Sequence, residues 1–218
     1  MIFDKDYAVQ IAPVLIHASW VTLEATVLGT LLAAVVGLLL SMLRRSRFSV
    51  IRRIAWGYIS FVRSTPLLIQ IFVLFYVLPL YGLRLPAFLT GTLALGFHYG
   101  SYMAEVYRAG IDAVPRGQWE AAYTLNMPPW LIWTRVVLPQ AIPPVIPPLG
   151  NYMVSMFKDT PLLSTIGILE LLGSALSEAS LTFRYYEPLT LVGLIFLFFS
   201  LLSTVVIRRL ESRFGTSR

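Results

Sequence analysis

Residues 20–43, WVTLEATVLGTLLAAVVGLLLSML, form an apolar run in which Glu24 is the only ionisable side chain. A helix of about 20 apolar residues spans the roughly 30 Å hydrocarbon core of a bilayer. The chain is 57% hydrophobic and only 13% charged, far more apolar than a soluble domain requires. The sequence therefore predicts an all-α integral membrane protein. Five membrane segments are predicted, at residues 20–43, 59–80, 87–106, 141–172 and 189–207.

The arginines between the apolar runs predict the orientation of the chain. They concentrate after the first, third and fifth predicted segments. Because positively charged loops remain in the cytoplasm, we expect the N-terminus outside and the C-terminus in the cytoplasm. Residues 1–18 are then an extracytoplasmic N-terminal segment, residues 19–208 the membrane domain, and residues 209–218 a cytoplasmic tail. This distribution accounts for the net charge of +6, so no binding to nucleic acid is expected.

The fourth predicted segment is irregular. Its start holds five prolines between residues 139 and 148, and each lacks the N–H that a regular helix needs. Lys158 and Asp159 follow, and charges at this depth are costly unless they face protein or water. We therefore expect a broken helix that lines a polar interior. No duplicated halves are evident, and five spans are few for a complete pathway, so a second, identical or homologous membrane subunit is expected.

Several kinds of chemistry are not expected of this chain. It has no cysteine, and it has no G-x-x-x-x-G-K-[ST] stretch that would hold nucleotide phosphates. The two histidines, His17 and His98, are far apart and lack the neighbours of a metal or hydrolase motif. We therefore expect no enzyme activity and no cofactor or metal bound by this chain. An ion-coupled secondary carrier and a non-transporting membrane scaffold remain alternatives at this point.

The long loop at residues 108–140 has the pattern of two short helices. Strong helix formers follow Gly117, Asn126 is suited to a left-handed residue at the end of the first helix, and Pro128 and Pro129 can begin the second. Such a pair of helices either offers a firm docking surface to a soluble partner or rests on the membrane surface as an amphipathic pair.

The same loop resembles a motif of the membrane permeases of ABC importers. The family pattern is E-A-A-x-x-x-G, nine residues, and then I-x-L-P. Here it is matched by Glu120, Ala121 and Ala122, with Asn126 in the glycine place, and then by Val136, Leu138 and Pro139. Asparagine tolerates positive φ best after glycine, and valine keeps a β-branched apolar contact, so both departures are mild.

The resemblance implies the type I importer fold, with about five spans and a cytoplasmic coupling-helix loop. Residues 19–208 would be the permease domain, in a bacterial inner membrane. The loop would dock an ATPase subunit that carries ATP and Mg²⁺, while this chain would bind neither. The other implied partners are a second permease subunit, an extracytoplasmic solute-binding protein, a small polar solute and membrane lipid. The docking residues implied are Gly117, Glu120, Ala121, Ala122, Asn126, Val136, Leu138 and Pro139.

Further stretches narrow the resemblance to a branch of the family. The runs RSTPLLIQIFVLFYVLP (63–79), AEVYRAGIDAVPRGQWEAA (104–122) and KDTPLLSTIG (158–167) are similar to those of polar-amino-acid permeases. TLNM (124–127), the proline-rich run at 137–164 and RYYEPLTLVG (184–193) are most similar to permeases for ectoine and hydroxyectoine. The resemblance therefore implies an amino acid or an amino-acid-like compatible solute as the substrate.

Polar side chains inside apolar runs are the candidate pathway residues, because a zwitterion would be met by both a cation and an anion. Four of them have a structural alternative: an interfacial carboxylate for Glu24, a hydrogen-bonded interior residue for His98, and pairing with other protein charges for Lys158 and Asp159. Glu105 and Arg108 have the spacing of a helical ion pair. The small residues Gly29, Ala33 and Gly37 would allow a close helix contact. The pathway candidates are Glu24, Gln70, His98, Asn151, Lys158 and Asp159.

Overall fold

The structure, a computed structural model, describes residues 3–214, and every regular element in that range is helical. The predicted all-α class is therefore confirmed. The last part of the predicted tail, residues 215–218, lies outside the described residues. The α-helices are α1 (Lys5–Arg44), α2 (Ser49–Arg63), α3 (Leu67–Phe72), α4 (Ala87–Asp112), α5 (Arg116–Thr124), α6 (Pro129–Leu131), α7 (Leu138–Ala141), α8 (Ile146–Asp159), α9 (Leu171–Thr182) and α10 (Tyr186–Phe214).

Helix α1 begins at Lys5 and not near residue 20, so the first predicted segment is only its second part. Its 40 residues are about 60 Å long, twice the thickness of the hydrocarbon core. The Asp4 carboxylate caps its first turn by accepting the N–H of Tyr7 at 3.1 Å. Arg184 donates to the same carboxylate at 2.8 Å. The N–H of Tyr7 and the Arg184 guanidinium lower the pKa of Asp4 from its usual value.

Helices α1 and α4 pack side by side and run in the same direction. A Cβ at Gly29 would lie 3.4 Å from Leu95 Cβ, and one at Gly37 would lie 2.9 Å from the Gly100 carbonyl oxygen. The small residues predicted to allow close approach on α1 therefore do so. Beyond them, Arg45 and Asp112 form an ion pair of 2.6 Å. Both helices therefore end on the same side, as the predicted orientation requires.

The second predicted segment, residues 59–80, is not one continuous helix. Helix α2 ends at Arg63, the run from Leu67 to Tyr81 follows after three residues, and the two axes differ by 106°. The break holds Pro66, and a proline disfavours helical backbone at the residue before it. A π-helical stretch, Val73–Val77, and a short 3-10 helix, Leu78–Tyr81, complete this run. Hydropathy alone did not reveal this bend.

The fourth segment is irregular where the prolines predicted it, but its change of axis lies further along the chain. A 3-10 turn at Pro143–Val145 precedes α8, and a second 3-10 run, Thr160–Ile166, follows it. Gly167 then has φ +81°, and the chain continues into α9 with a change of axis of 45° between the two halves. Glu170 is fully buried and caps α9 by accepting the N–H of Gly173 at 2.7 Å.

Two described helices are long and apolar enough by themselves to cross a membrane, Lys5–Arg44 and the Tyr186–Arg209 part of α10. Counting each bent pair as one span gives up to four. Helix α4 has 26 residues, but glycines, serine and a histidine on its buried face make it less apolar than a lipid-facing helix. The number of five spans and their orientation therefore stay predictions.

Candidate functional site

Three tyrosines gather where α4 meets α8. Tyr99 and Tyr102 lie one turn apart on α4, and Tyr152 comes from α8, with ring centroids 6.1 Å from Tyr99 and 5.6 Å from Tyr102. The Tyr99 hydroxyl donates a hydrogen bond of 2.6 Å to Asp159 Oδ2 at the end of α8. An anion is thereby fixed against an aromatic surface formed by two helices.

A cation lies against one of the same tyrosines. The guanidinium of Arg63, at the end of α2, lies 5.0 Å from the centroid of the Tyr102 ring. Its side chain is exposed, whereas Asp159 is half-buried and Tyr99 is 5% exposed. We call Arg63, Tyr99, Tyr102, Tyr152 and Asp159 the polar aromatic cluster.

Gln70 and His98 support this cluster from behind. The Gln70 amide donates to the Val62 carbonyl oxygen at 2.8 Å and to Thr65 Oγ1 at 2.7 Å, across the bend between α2 and α3. Its Oε1 can only accept, so the His98 Nδ1–H donates to it, at 3.1 Å. His98 is 8% exposed, which agrees with the hydrogen-bonded interior alternative. The two residues hold the bend against α4.

The cluster has the chemistry of a site for a small zwitterion. A guanidinium pairs well with a carboxylate, and a carboxylate with an ammonium group or a delocalised cation. Tyrosine rings add a surface for a cation or for an apolar ring. Because charges inside a membrane protein are expensive, their convergence from two broken segments makes this place the candidate functional site.

The loop between α4 and the fourth segment also has the predicted geometry. Helix α5 ends in a Schellman motif, in which Asn126 N–H donates to the Tyr123 carbonyl oxygen at 2.9 Å and Met127 N–H donates to that of Ala122 at 3.2 Å. Asn126 has φ +54°, the left-handed conformation expected of it. Pro129 then begins the next helical run, at α6.

The loop has a small core of its own. Ala122 and Val137 are buried together with Val114, Ile132 and Ala141, and the rings of Trp119 and Trp133 pack 5.4 Å apart. Ala122 therefore shapes the loop and does not form its surface. The exposed side chains of the loop include three large ones, Tyr123, Leu125 and Trp130, which are 60%, 74% and 67% exposed. Glu120 and Ala121 are exposed beside them.

The model of the family described as the "binding-protein-dependent transport system inner membrane component" matches residues 11–216. The chain belongs to this family. A probable amino-acid ABC transporter permease of Sinorhizobium fredii is 47% identical over 205 residues, covering 93% of this chain and 87% of the relative. An L-cystine transport system permease of Bacillus subtilis is 34% identical, with 91% and 87% covered.

Solved structures agree with this assignment. A permease chain in the crystal structure of an amino acid ABC transporter with histidines superposes with a TM-score of 0.92 at 34% identity, and the match covers 98% of this permease and 100% of that chain. The MetNI methionine ABC transporter shares the fold, with a TM-score of 0.69 at 16% identity. The permease has the type I importer fold. It is a membrane subunit and no enzyme, and ATP hydrolysis belongs to a partner ATPase.

The structure brings only some of the predicted pathway residues together. Gln70, His98 and Asp159 meet at the polar aromatic cluster, while the other three candidates point elsewhere. Glu24 is exposed near the middle of α1, and not near its outer end as expected. Asn151 and Lys158 are exposed on α8, and Lys158 lies beside Pro161 and the α10 residues Phe196, Leu197 and Ser200.

The sequence analysis missed Arg63 and the tyrosines. A signal for Arg63 was present, because RSTPLL (63–68) and KDTPLL (158–163) share a cation followed two residues later by T-P-L-L. The first copy begins at the break after α2, and the second copy spans the end of α8 and the start of the 3-10 run that precedes Gly167. The tyrosines gave no signal, since interior aromatic residues are common in any helical core.

Asn126 gives a test of the loop. We expect Asn126→Gly to keep the coupling between ATP hydrolysis and transport, because glycine adopts φ +54° freely. Asn126→Val forces a β-branched residue into this conformation at a cost of about 1–3 kcal/mol, and should weaken ATPase retention and solute-stimulated hydrolysis. Both variants would be compared in one reconstituted complex. Equal performance of valine and glycine would show that the left-handed turn does not set the docking geometry.

Proposed function

We propose that this permease forms the membrane pathway for an amino acid or an amino-acid-like zwitterion. The observation that carries the proposal is the polar aromatic cluster, in which Asp159 accepts a hydrogen bond from Tyr99 and Arg63 lies over the ring of Tyr102. The solute carboxylate would pair with Arg63, and its cationic group would lie between Asp159 and the tyrosine rings. The relatives named as amino-acid and cystine permeases support this class of substrate.

Within this class, ectoine or hydroxyectoine is the favoured substrate. The support comes from TLNM, the proline-rich run and RYYEPLTLVG, which are most similar to permeases for these solutes. Both solutes are cyclic zwitterions with a delocalised cation. Such a cation suits stacking on tyrosine rings better than the compact ammonium group of an ordinary amino acid does.

The partners proposed follow from the surfaces of the chain. The loop from α5 to α7 would dock the ATPase subunit, which binds ATP and Mg²⁺, with Tyr123, Leu125 and Trp130 as its exposed apolar contacts. A second permease subunit, identical or homologous, would cover Asn151 and Lys158, because a polar stripe on α8 is costly against lipid. A solute-binding protein would deliver the solute on the outer side of a bacterial inner membrane.

The first experiment tests which energy source drives transport. Proteoliposomes that contain the permease with its ATPase should transport solute only when ATP is supplied on the side of the ATPase and the binding protein is supplied on the opposite side. Vesicles with the permease alone and a proton or sodium gradient should be inactive. Robust gradient-driven uptake there would establish the secondary-carrier alternative instead.

The substrate needs a second experiment, in which ectoine, hydroxyectoine, histidine, glutamine and cystine compete for uptake in the complete system. We expect ectoine or hydroxyectoine to compete at the lowest concentration. Stronger competition by a common amino acid would leave the zwitterion site in place and discard the compatible-solute assignment. Competition by none of the five would contradict the amino-acid class itself.

A further inference from the structure

A cavity of about 400 Å³ opens where α1 and α4 end and α2 begins. Its lining joins three separate helices and the turn after α1, because the parallel packing of α1 and α4 brings Arg45 to Asp112 and the short turn places α2 beside them. The lining residues are Arg44, Arg45, Arg52, Arg53, Trp56, Arg108 and Asp112.

The cavity carries a large excess of positive charge. Its single carboxylate, Asp112, is already paired with both Arg45, at 2.6 Å, and Arg108, at 2.9 Å. Among the described residues, Arg44, Arg52 and Arg53 have no carboxylate within ion-pair distance. An orientation signal requires positive charge in a loop, but it does not require arginines from several elements to converge on one cavity.

The exposed apolar face of α2 favours a position of this cavity at the boundary of the lipid. Val50, Ile54 and Phe61 follow one face of α2 and are 61%, 67% and 67% exposed, as acyl chains would require. Arg52 and Trp56 follow the opposite face, which lines the cavity. Tryptophan is enriched at the level of lipid headgroups, so Trp56 marks that level here.

We propose that this cavity binds the phosphate of an anionic phospholipid headgroup. Guanidinium groups bind phosphate oxygens in a bidentate manner, and basic pockets between membrane helices are suited to anionic headgroups. Arg44, Arg52 and Arg53 would supply the donors, and Trp56 would pack at the glycerol level. The acyl chains would lie against lipid-exposed helix surface. An acidic surface of the ATPase is the competing occupant.

The test is a lipid titration of the intact permease–ATPase complex in detergent, read by native mass spectrometry. Phosphatidylglycerol should bind the wild type with a defined stoichiometry, while phosphatidylcholine and inorganic phosphate should bind far more weakly. The variant Arg52→Gln/Arg53→Gln should bind phosphatidylglycerol about 10- to 30-fold more weakly. The matched control, Arg208→Gln/Arg209→Gln, removes an equally adjacent and exposed pair from α10 and should change binding less than about twofold.

Three outcomes would overturn the proposal. Equal losses in the two variants would show unspecific attraction to basic residues. Binding of inorganic phosphate as tight as that of the lipid would show a free-anion site. Loss of the ATPase from the Arg52→Gln/Arg53→Gln complex with unchanged lipid binding would assign the cavity to the ATPase. If this variant fails to assemble, Arg52→Lys/Arg53→Lys replaces it, and a several-fold loss is still expected because lysine cannot bind phosphate in a bidentate manner.

Discussion

Asp159→Asn will reduce uptake about 10- to 100-fold while the complex still assembles. The substitution keeps the shape of the side chain and a hydrogen-bond acceptor for the Tyr99 hydroxyl, which lies 2.6 Å from Asp159 Oδ2. It removes the only negative charge of the polar aromatic cluster, and a hydrogen bond to a charged group contributes about 1.5–3 kcal/mol. The measurement is the initial rate of ATP-dependent uptake over a range of solute concentrations, with assembly checked by ATPase retention.

Two further variants show whether this loss is specific. Tyr99→Phe removes a neutral hydrogen-bond donor and should reduce uptake about fivefold. Glu211→Gln neutralises an exposed carboxylate near the end of α10 and should leave uptake unchanged. Unaltered uptake kinetics in Asp159→Asn would show that the polar aromatic cluster does not contact the solute, whatever the effect of Tyr99→Phe.

Gly37→Leu is expected to destabilise the permease by on the order of 3 kcal/mol. A side chain at this position would begin 2.9 Å from both the Gly100 carbonyl oxygen and Met103 Cβ, so α1 and α4 would have to separate. Gly37→Ala should be intermediate, since its Cβ alone already makes these contacts. The readout is the midpoint of thermal unfolding of the purified complex, where a fall of about 5–10 °C is expected for the leucine variant.

Gly57→Leu is the matched control. Gly57 also lies inside a helix, α2, but no atom lies within 4 Å of a Cβ placed there. Both substitutions replace a flexible residue by a good helix former, which favours the helix by up to about 1 kcal/mol. Gly57→Leu should therefore leave the midpoint unchanged or raise it. A similar fall in both variants would mean that close packing of α1 on α4 is not the cause.

Local physical chemistry explains what the sequence predicted well. The turn at Asn126 depends on the tolerance of one residue for positive φ. The irregular start of the fourth segment depends on prolines that lack an N–H. The Glu105–Arg108 ion pair, 2.7 Å in the structure, needs only helical spacing. These features are determined within one or two turns of the chain, so hydropathy and residue type were sufficient.

The features that the sequence did not predict depend on packing between distant segments. Tyr99 meets Asp159 only because α4 packs on α8, and no periodicity in either helix indicates that contact. The separation of Lys158 from Asp159 has a local cause, since adjacent residues on a helix point about 100° apart, but which of the two meets Tyr99 depends on the packing of α4 on α8. The bend after Arg63 was hidden because the apolar residues on both sides give one continuous hydropathy signal.

Helix α4 connects the polar aromatic cluster to the loop that begins with α5. About 15 Å of unbroken helix separates Tyr102 from Asp112, and α5 begins four residues later. Helix α1 packs along this stretch of α4, so we expect the stretch to move as a rigid element when a force is applied at the loop. Arg63 lies at the break after α2 and Asp159 at the end of α8, so neither residue belongs to α4. A twist applied at the loop would therefore move Tyr99 and Tyr102 together, and it would change their distances from Tyr152, Arg63 and Asp159 on the neighbouring helices.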